Sequence, residues 1–101
     1  MTTKRLDKIL EKDLGVASFA SFMRAARTRL DLTQSEMAKR LGMSKGGICD
    51  LEKGRQFVSI ELAVKIANKL QLSEVFAIHC VIKDSIRRAG LNYEITIKKS
   101  A

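Results

Sequence analysis

The chain holds few side chains able to do covalent or metal chemistry. It has one histidine, His79, and two cysteines, Cys49 and Cys80. His79 stands inside the apolar run "VFAIHCVI" (residues 75–82), where an imidazole is expected as a core or interface residue rather than as a general base. One histidine and two cysteines at scattered spacing do not supply the grouped ligands of a zinc site, so no metal is expected. The adjacent glycines in "KGG" (residues 45–47) follow no strand, so they are not the backbone cradle of a phosphate-binding loop. Neither enzymatic activity nor a cofactor is expected. Cys49 can be read as an oxidation sensor, but a small residue beside a bound polyanion accounts for it more simply.

What the sequence has in quantity is positive charge. Nineteen Lys and Arg stand against eleven Asp and Glu, a net charge of +8. Such a balance favours polyanionic partners: DNA, RNA or an acidic membrane surface. The plain alternative is a solvated basic surface kept for solubility. The aromatics are four Phe and one Tyr, not interleaved with basic residues, which disfavours a stacking platform for single strands. With 101 residues, 46% of them hydrophobic, the chain can bury one modest core. No apolar run approaches the ~18 residues of a membrane span. The opening "MTTKRLDKILEKDLG" has no signal-peptide core, and two cysteines make no disulfide framework. A cytoplasmic, nucleoid-associated protein is expected.

The elements that must position these charges are marked by polar caps and glycines. The pattern predicts a helix over residues 2–14, with Leu6, Ile9, Leu10 and Leu14 apolar and Gly15 at its end. Ser18 caps a second helix running to about Asp31, with Phe19, Phe22, Met23, Ala26 and Leu30 on its apolar side. Thr33 caps "QSEMAKRLG", and Glu36 completes a capping-box pattern. Ser44 caps the segment that Gly54 ends. Ser59 caps "IELAVKIANKLQL", and Ser73 caps "EVFAIHCVIKDSIRRAG". In "NYEITIK" (residues 92–98) Tyr93, Ile95 and Ile97 alternate with polar residues, which is strand periodicity.

Residues 34–53 thus hold two short helices joined by a tight turn. Ala38 is small enough for the helices to cross closely, and Gly42 can take a positive φ at the bend. Met37 and Leu41 on the first helix face Ile48 and Leu51 on the second. In "LTQSEMAKRLGMSKGGICDLEKGR" followed by "SIELAVKIANKLQLS", the Thr-Gln at the first helix start, the Ala-x-x-x-Gly spacing and the closing Glu-x-Gly resemble the phage-repressor-like, or Xre-type (Cro-like), helix-turn-helix family. The resemblance covers residues 18 to about 76.

That resemblance implies an all-α, lambda-repressor-like five-helix fold, with the helix-turn-helix DNA-binding domain over residues 18–76. To it the sequence adds an N-terminal helical extension (1–17) and a C-terminal helix and strand for dimerisation (77–101). In the family the second motif helix enters the DNA major groove while the first crosses the backbone. Carried over by position, Gln34 sits near a phosphate at a helix N-terminus. Ser44, Lys45, Gly46, Cys49 and Asp50 meet base edges, with Lys45 able to donate to guanine and Asp50 to accept from cytosine. Lys53, Arg55 and Gln56 lie along the DNA backbone. The resemblance also pairs Arg27 with Glu52 as an internal salt bridge, leaving Arg24 and Arg29 solvated or facing phosphate.

Gly46 and Gly47 depart from the family's polar residues, and each costs a helix roughly 1 kcal/mol relative to Ala. Either they let the backbone approach DNA closely, or Gly47 packs against the preceding helix and Gly46 has no role. The helix over residues 73–90 is apolar nearly all round for two turns, more than one small core requires. An isologous contact through Phe76, His79, Ile82, Ile86, Tyr93, Ile95 and Ile97 is therefore expected, with the strand pairing antiparallel to its copy. The expected function is a sequence-specific regulator of transcription, a homodimeric repressor on a palindromic double-stranded operator. One alternative is an antitoxin that autoregulates its operon and binds a toxin partner. The other is a protein-interaction adaptor that keeps the fold without binding DNA.

Overall fold

The computed structural model describes residues 18–100. The helix expected over residues 2–14 lies outside the described residues. Five helices follow in order: α1 (Phe19–Arg29), α2 (Gln34–Leu41), α3 (Lys45–Glu52), α4 (Ile60–Lys69) and α5 (Glu74–Arg88). Each begins at the cap the sequence predicts. The side chains of Ser18, Thr33, Ser44, Ser59 and Ser73 each accept the N–H of the third helical residue, at 2.9–3.1 Å. Every helix start thereby satisfies one donor that has no partner within the helix. At α2 the box closes, because Glu36 Oε1 accepts the Thr33 N–H at 2.8 Å.

The helices wrap around one core. α1 packs on α3 and α5, α2 on α3 and α4, and α4 on α5. Phe19, Phe22 and Phe76 form its aromatic centre, with ring centroids 5.3 and 5.7 Å apart in tilted pairs, the geometry that aromatic quadrupoles favour. Met23, Met37, Ile48, Leu51, Ile66 and Cys80 fill the space around them, all fully buried. The α2–α3 bend is closed by Gly42 at φ +68°, in the left-handed region that a side chain strains. Across that bend Lys69 Nζ donates to the Leu41 carbonyl at 3.3 Å. A cation thus meets the C-terminal, electronegative end of α2 and ties it to α4. Asp84 does the reverse for α1, accepting the Phe19 N–H at 3.0 Å.

Two expectations are corrected here. The all-α, five-helix domain is present, but residues 92–98 form no strand. The alternation survives in burial, since Ile95 and Ile97 are half-buried while Tyr93 is exposed. A strand exists only through a ladder to another strand, and none is available among the described residues. The tail instead folds back on α5, where Lys83 Nζ donates to the Tyr93 carbonyl at 3.1 Å. The second correction is Phe76, which was expected on a dimerisation surface. It lies in the core against Phe22. Among the described residues no helix is long and apolar enough to cross a membrane.

Candidate nucleic-acid interface

α3 divides cleanly into two faces. Ile48 and Leu51 point inward and are fully buried, and Glu52 beside them is 3% exposed. The other face carries Lys45, Gly46, Cys49, Asp50 and Lys53, at helical spacings that place them side by side. Lys45, Gly46 and Lys53 are exposed, and Cys49 and Asp50 are half-buried. Ser44 is exposed at the start of this face, but its hydroxyl already accepts the Gly47 N–H at 2.9 Å. Its O–H donor and a second lone pair remain. Cys49 and the buried Cys80 are not joined in a disulfide.

The two glycines of α3 differ in their surroundings. A Cβ added at Gly47 would lie 3.2 Å from the Ser44 Oγ and 3.5 Å from the Met43 methyl, tighter than an ordinary contact. The N-cap itself therefore favours glycine at 47. A Cβ at Gly46 would meet nothing closer than the Ser44 Oγ at 4.0 Å. Among the described residues nothing requires glycine there, and it leaves a bare stretch of backbone in the middle of the exposed face.

The inward end of α3 is clamped to α1. Arg27 Nε donates to Glu52 Oε2 at 2.7 Å, and Arg27 Nη2 to Oε1 at 3.1 Å. This is the bidentate fork expected for the pair. The hydrogen bond to Glu52 is the main cause that raises the Arg27 pKa above its ordinary value, outweighing desolvation. Arg27 Nη1 also donates to the Leu32 carbonyl at 3.1 Å. Gln34, expected at a phosphate, turns its amide inward to Glu52 Oε1 at 3.3 Å. Its side chain thus belongs to the clamp.

Arg24 was read as solvated or phosphate-facing. Instead, its Nη1 donates to the main-chain carbonyl of Glu52, a cation on an electronegative helix C-terminus. Its spacing from Arg27, three residues apart on one helix face, is the signal that links the two. α3 is thus held at its last residue by two arginines of α1, one on the carboxylate and one on the carbonyl.

Beyond α3 the chain turns outward. Lys53, Arg55 and Gln56 are all exposed. Arg55 Nη1 lies 4.0 Å from Asp50 Oδ1, a pair with both side chains largely in solvent. Such a contact stabilises little and leaves Arg55 able to exchange its carboxylate for a phosphate. The remaining expected contact residues gather on α5 and the tail. Ile82 and Ile86 are half-buried, and His79 is half-buried with its Nδ1 out of reach of any hydrogen-bond partner among the described residues. Tyr93, Ile95 and Ile97 lie on the irregular tail.

Sequence comparison adds relatives to this geometry. Residues 23–76 match the family model described as helix-turn-helix. A Methanothermobacter thermautotrophicus (strain Delta H) protein, named an uncharacterized HTH-type transcriptional regulator, is 36% identical over 67 residues. The match covers 66% of this chain and 97% of that protein. A protein of the same name from Archaeoglobus fulgidus is 46% identical over 41 residues, or 41% of this chain and 58% of its own length. No solved structure matches the chain.

Proposed function

This chain belongs to the helix-turn-helix family, and from that premise we propose that it is a sequence-specific, double-stranded DNA-binding regulator of transcription, acting as a homodimeric repressor in the cytoplasm. The observation that carries the proposal is the division of α3. One face is locked into the core by Ile48, Leu51 and the Arg27–Glu52 fork. The opposite face offers Lys45, Gly46, Cys49 and Asp50 without further duty inside the fold, Asp50 being held only by its loose pair with Arg55. A rigidly held helix with a polar outer face is what major-groove reading requires.

In this reading Lys45 donates to the O6 and N7 of guanine, and Asp50 accepts from the N4 of cytosine. The bare backbone at Gly46 comes close to a base edge or a thymine methyl. Lys53, Arg55 and Gln56 contact phosphates and fix register, which strengthens binding without selecting sequence. The +8 charge supplies the long-range attraction. Two copies related by a two-fold axis place their α3 helices about one DNA turn, ~34 Å, apart on a palindromic site.

Selection of duplexes from a random pool, followed by fluorescence anisotropy on the enriched site, tests this. The expected result is an inverted-repeat site bound at least ~10³-fold more tightly than random duplex, with Lys45→Ala relaxing the preference. A pool that never enriches, together with no affinity for duplex DNA at low salt, favours the adaptor reading and overturns this one.

A further inference from the structure

At the end of α3 away from Ser44, three elements bring cations to one concave surface. Arg24 of α1, Lys53 just after α3, and Arg87 and Arg88 at the end of α5 line a cleft of about 470 Å³. Among the described residues that line it, Asp84 is the only carboxylate. Ala20 and Gly54 also line it, and neither has a side chain long enough to fill the space between the cations.

Each arginine has a local reason for its place. Arg24 Nη1 donates to the Glu52 carbonyl, and its Nη2 reaches the Ser21 Oγ at 3.4 Å. Arg87 Nη2 donates to Asp84 Oδ1. The Arg88 guanidinium lies over the Phe57 ring, 5.5 Å from its centroid. Cations in the last turn of α5 also suit its helix dipole. None of these reasons requires the four cations to converge. Gathering like charges costs stability, and an anion among them removes that cost. The same contacts hold three guanidinium groups in position beforehand, which lowers the ordering cost of binding. Asp84 is engaged at both oxygens, since Oδ2 accepts the Phe19 N–H at 3.0 Å, and this blunts its repulsion of an anion.

We propose that this cleft binds a compact polyphosphate, an anion in which two or three phosphate groups are linked in one chain. Arginine offers a planar fork that matches phosphate oxygens in pairs. Four cations against one carboxylate suit an anion with several charges in a small volume. A DNA strand spreads single charges along its length and matches such a cluster less well. Among the described residues no aromatic side chain lines the cleft, so nothing there stacks on a nucleobase. The phosphate chain itself is the group recognised.

Lys53 stands both on the exposed face of α3 and in the cleft. A polyphosphate bound there draws Lys53 away from the DNA backbone, so the ligand lowers DNA affinity. This consequence rests on the DNA-binding reading above, but the site itself does not.

Calorimetric titration of the full chain with tripolyphosphate, at constant ionic strength and without divalent cations, tests the site. The expected result is saturable binding of one anion per chain, at least about 10-fold tighter than sulfate. Adenosine triphosphate should bind with similar affinity, because its base finds no platform. Arg88→Gln should weaken tripolyphosphate binding roughly 10-fold, with helical circular dichroism retained. Arg40→Gln removes an exposed cation of α2 that does not line the cleft, and it should leave binding unchanged. In the unmodified chain, amide chemical-shift changes during the titration should centre on Gly54 and Arg87. No saturable binding overturns the proposal, as do equal losses in Arg88→Gln and Arg40→Gln, or shifts centred on Lys45 and Gly46 instead. Anisotropy on the selected duplex separates the two proposals. Tripolyphosphate at constant ionic strength should weaken DNA binding by the unmodified chain, and less so by Arg88→Gln. Tripolyphosphate binding without any DNA affinity sinks only the DNA reading. A chain that binds duplex but not tripolyphosphate, with duplex binding weakened by Arg88→Gln, makes the cleft a DNA-backbone contact and sinks only the polyphosphate site.

Discussion

The guanidinium of Arg27 on α1 grips the carboxylate of Glu52 at the last position of α3, with Nε 2.7 Å from Oε2 and Nη2 3.1 Å from Oε1. Glu52 is 3% exposed, and the Arg27 side chain is 25% exposed. Removing one member of such a pair leaves an uncompensated charge. Glu52→Ala should therefore cost about 3 kcal/mol, measured by urea unfolding. Replacing both, as Arg27→Met with Glu52→Leu, should restore most of that stability, because two apolar chains of similar volume leave no charge buried. A double variant as unstable as the single would show that the fork does more than satisfy its own charges.

That fork also shows which parts of the fold were legible in the sequence. The helix starts were, because a cap is local: Ser or Thr reaches an N–H three residues on, and Thr33 with Glu36 spells out its own box. The Arg27–Glu52 pair joins residues 25 positions apart, and no spacing rule connects them. It came only through the family resemblance. A main-chain carbonyl acceptor leaves no mark of its own in the sequence, so only the three-residue spacing from Arg27 points to the role of Arg24. The sequence shows α5 apolar nearly all round for two turns, but such a helix does not announce which stripe faces inward. Phe76 was therefore put on the wrong side. The tail alternates as a strand does, yet periodicity reports only what a segment can do. A ladder needs a second strand, and the described residues provide none.

The contrast between the two glycines of α3 gives a second test. Gly46→Ala adds a methyl with nothing nearer than the Ser44 Oγ at 4.0 Å and should stabilise the fold by up to about 1 kcal/mol. Gly47→Ala presses a methyl to 3.2 Å from the capping Ser44 Oγ, so its gain should be smaller or reversed. Thermal unfolding of the two variants gives the comparison. If Gly46 is bare so that DNA can approach, Gly46→Ala should also weaken binding to the selected site while raising the melting temperature. A more stable variant with undiminished affinity would discard close approach as the reason for glycine at 46.

Glu36 links the capping box to pH. Its carboxylate accepts the Thr33 N–H, and this bond, ahead of the Thr33 side-chain hydrogen bond, holds its pKa below the ordinary carboxylate value. A group whose pKa is lower folded than unfolded stabilises the fold at pH above its unfolded value. The contribution fades as pH falls through that value and is gone below the lowered folded one. Glu36→Gln keeps a side chain that can close the box but does not titrate in this range. Stability measured from pH 7 to pH 2 should therefore fall less steeply through the carboxylate range in Glu36→Gln than in the unmodified chain. Identical slopes would mean that the cap bond is not formed in solution.

Arg55 and Asp50 provide the most direct test of the proposed interface. They face each other at 4.0 Å on the exposed side of α3, so each screens the other until DNA arrives. Arg55 then has a phosphate to bind, while Asp50 is left to a base. Each phosphate contact on B-DNA adds about −0.9 to the slope of log affinity against log salt. Arg55→Ala should thus weaken all duplexes alike and flatten the slope by roughly one per subunit. Asp50→Ala should act differently. It frees Arg55 and removes a negative charge from the interface, so affinity for random duplex should rise, while any preference for cytosine opposite position 50 should be lost. Titrations over a range of salt concentrations with selected and random duplexes read both effects. If Arg55→Ala leaves the salt slope unchanged and Asp50→Ala leaves the preference unchanged, α3 does not enter the groove with this face.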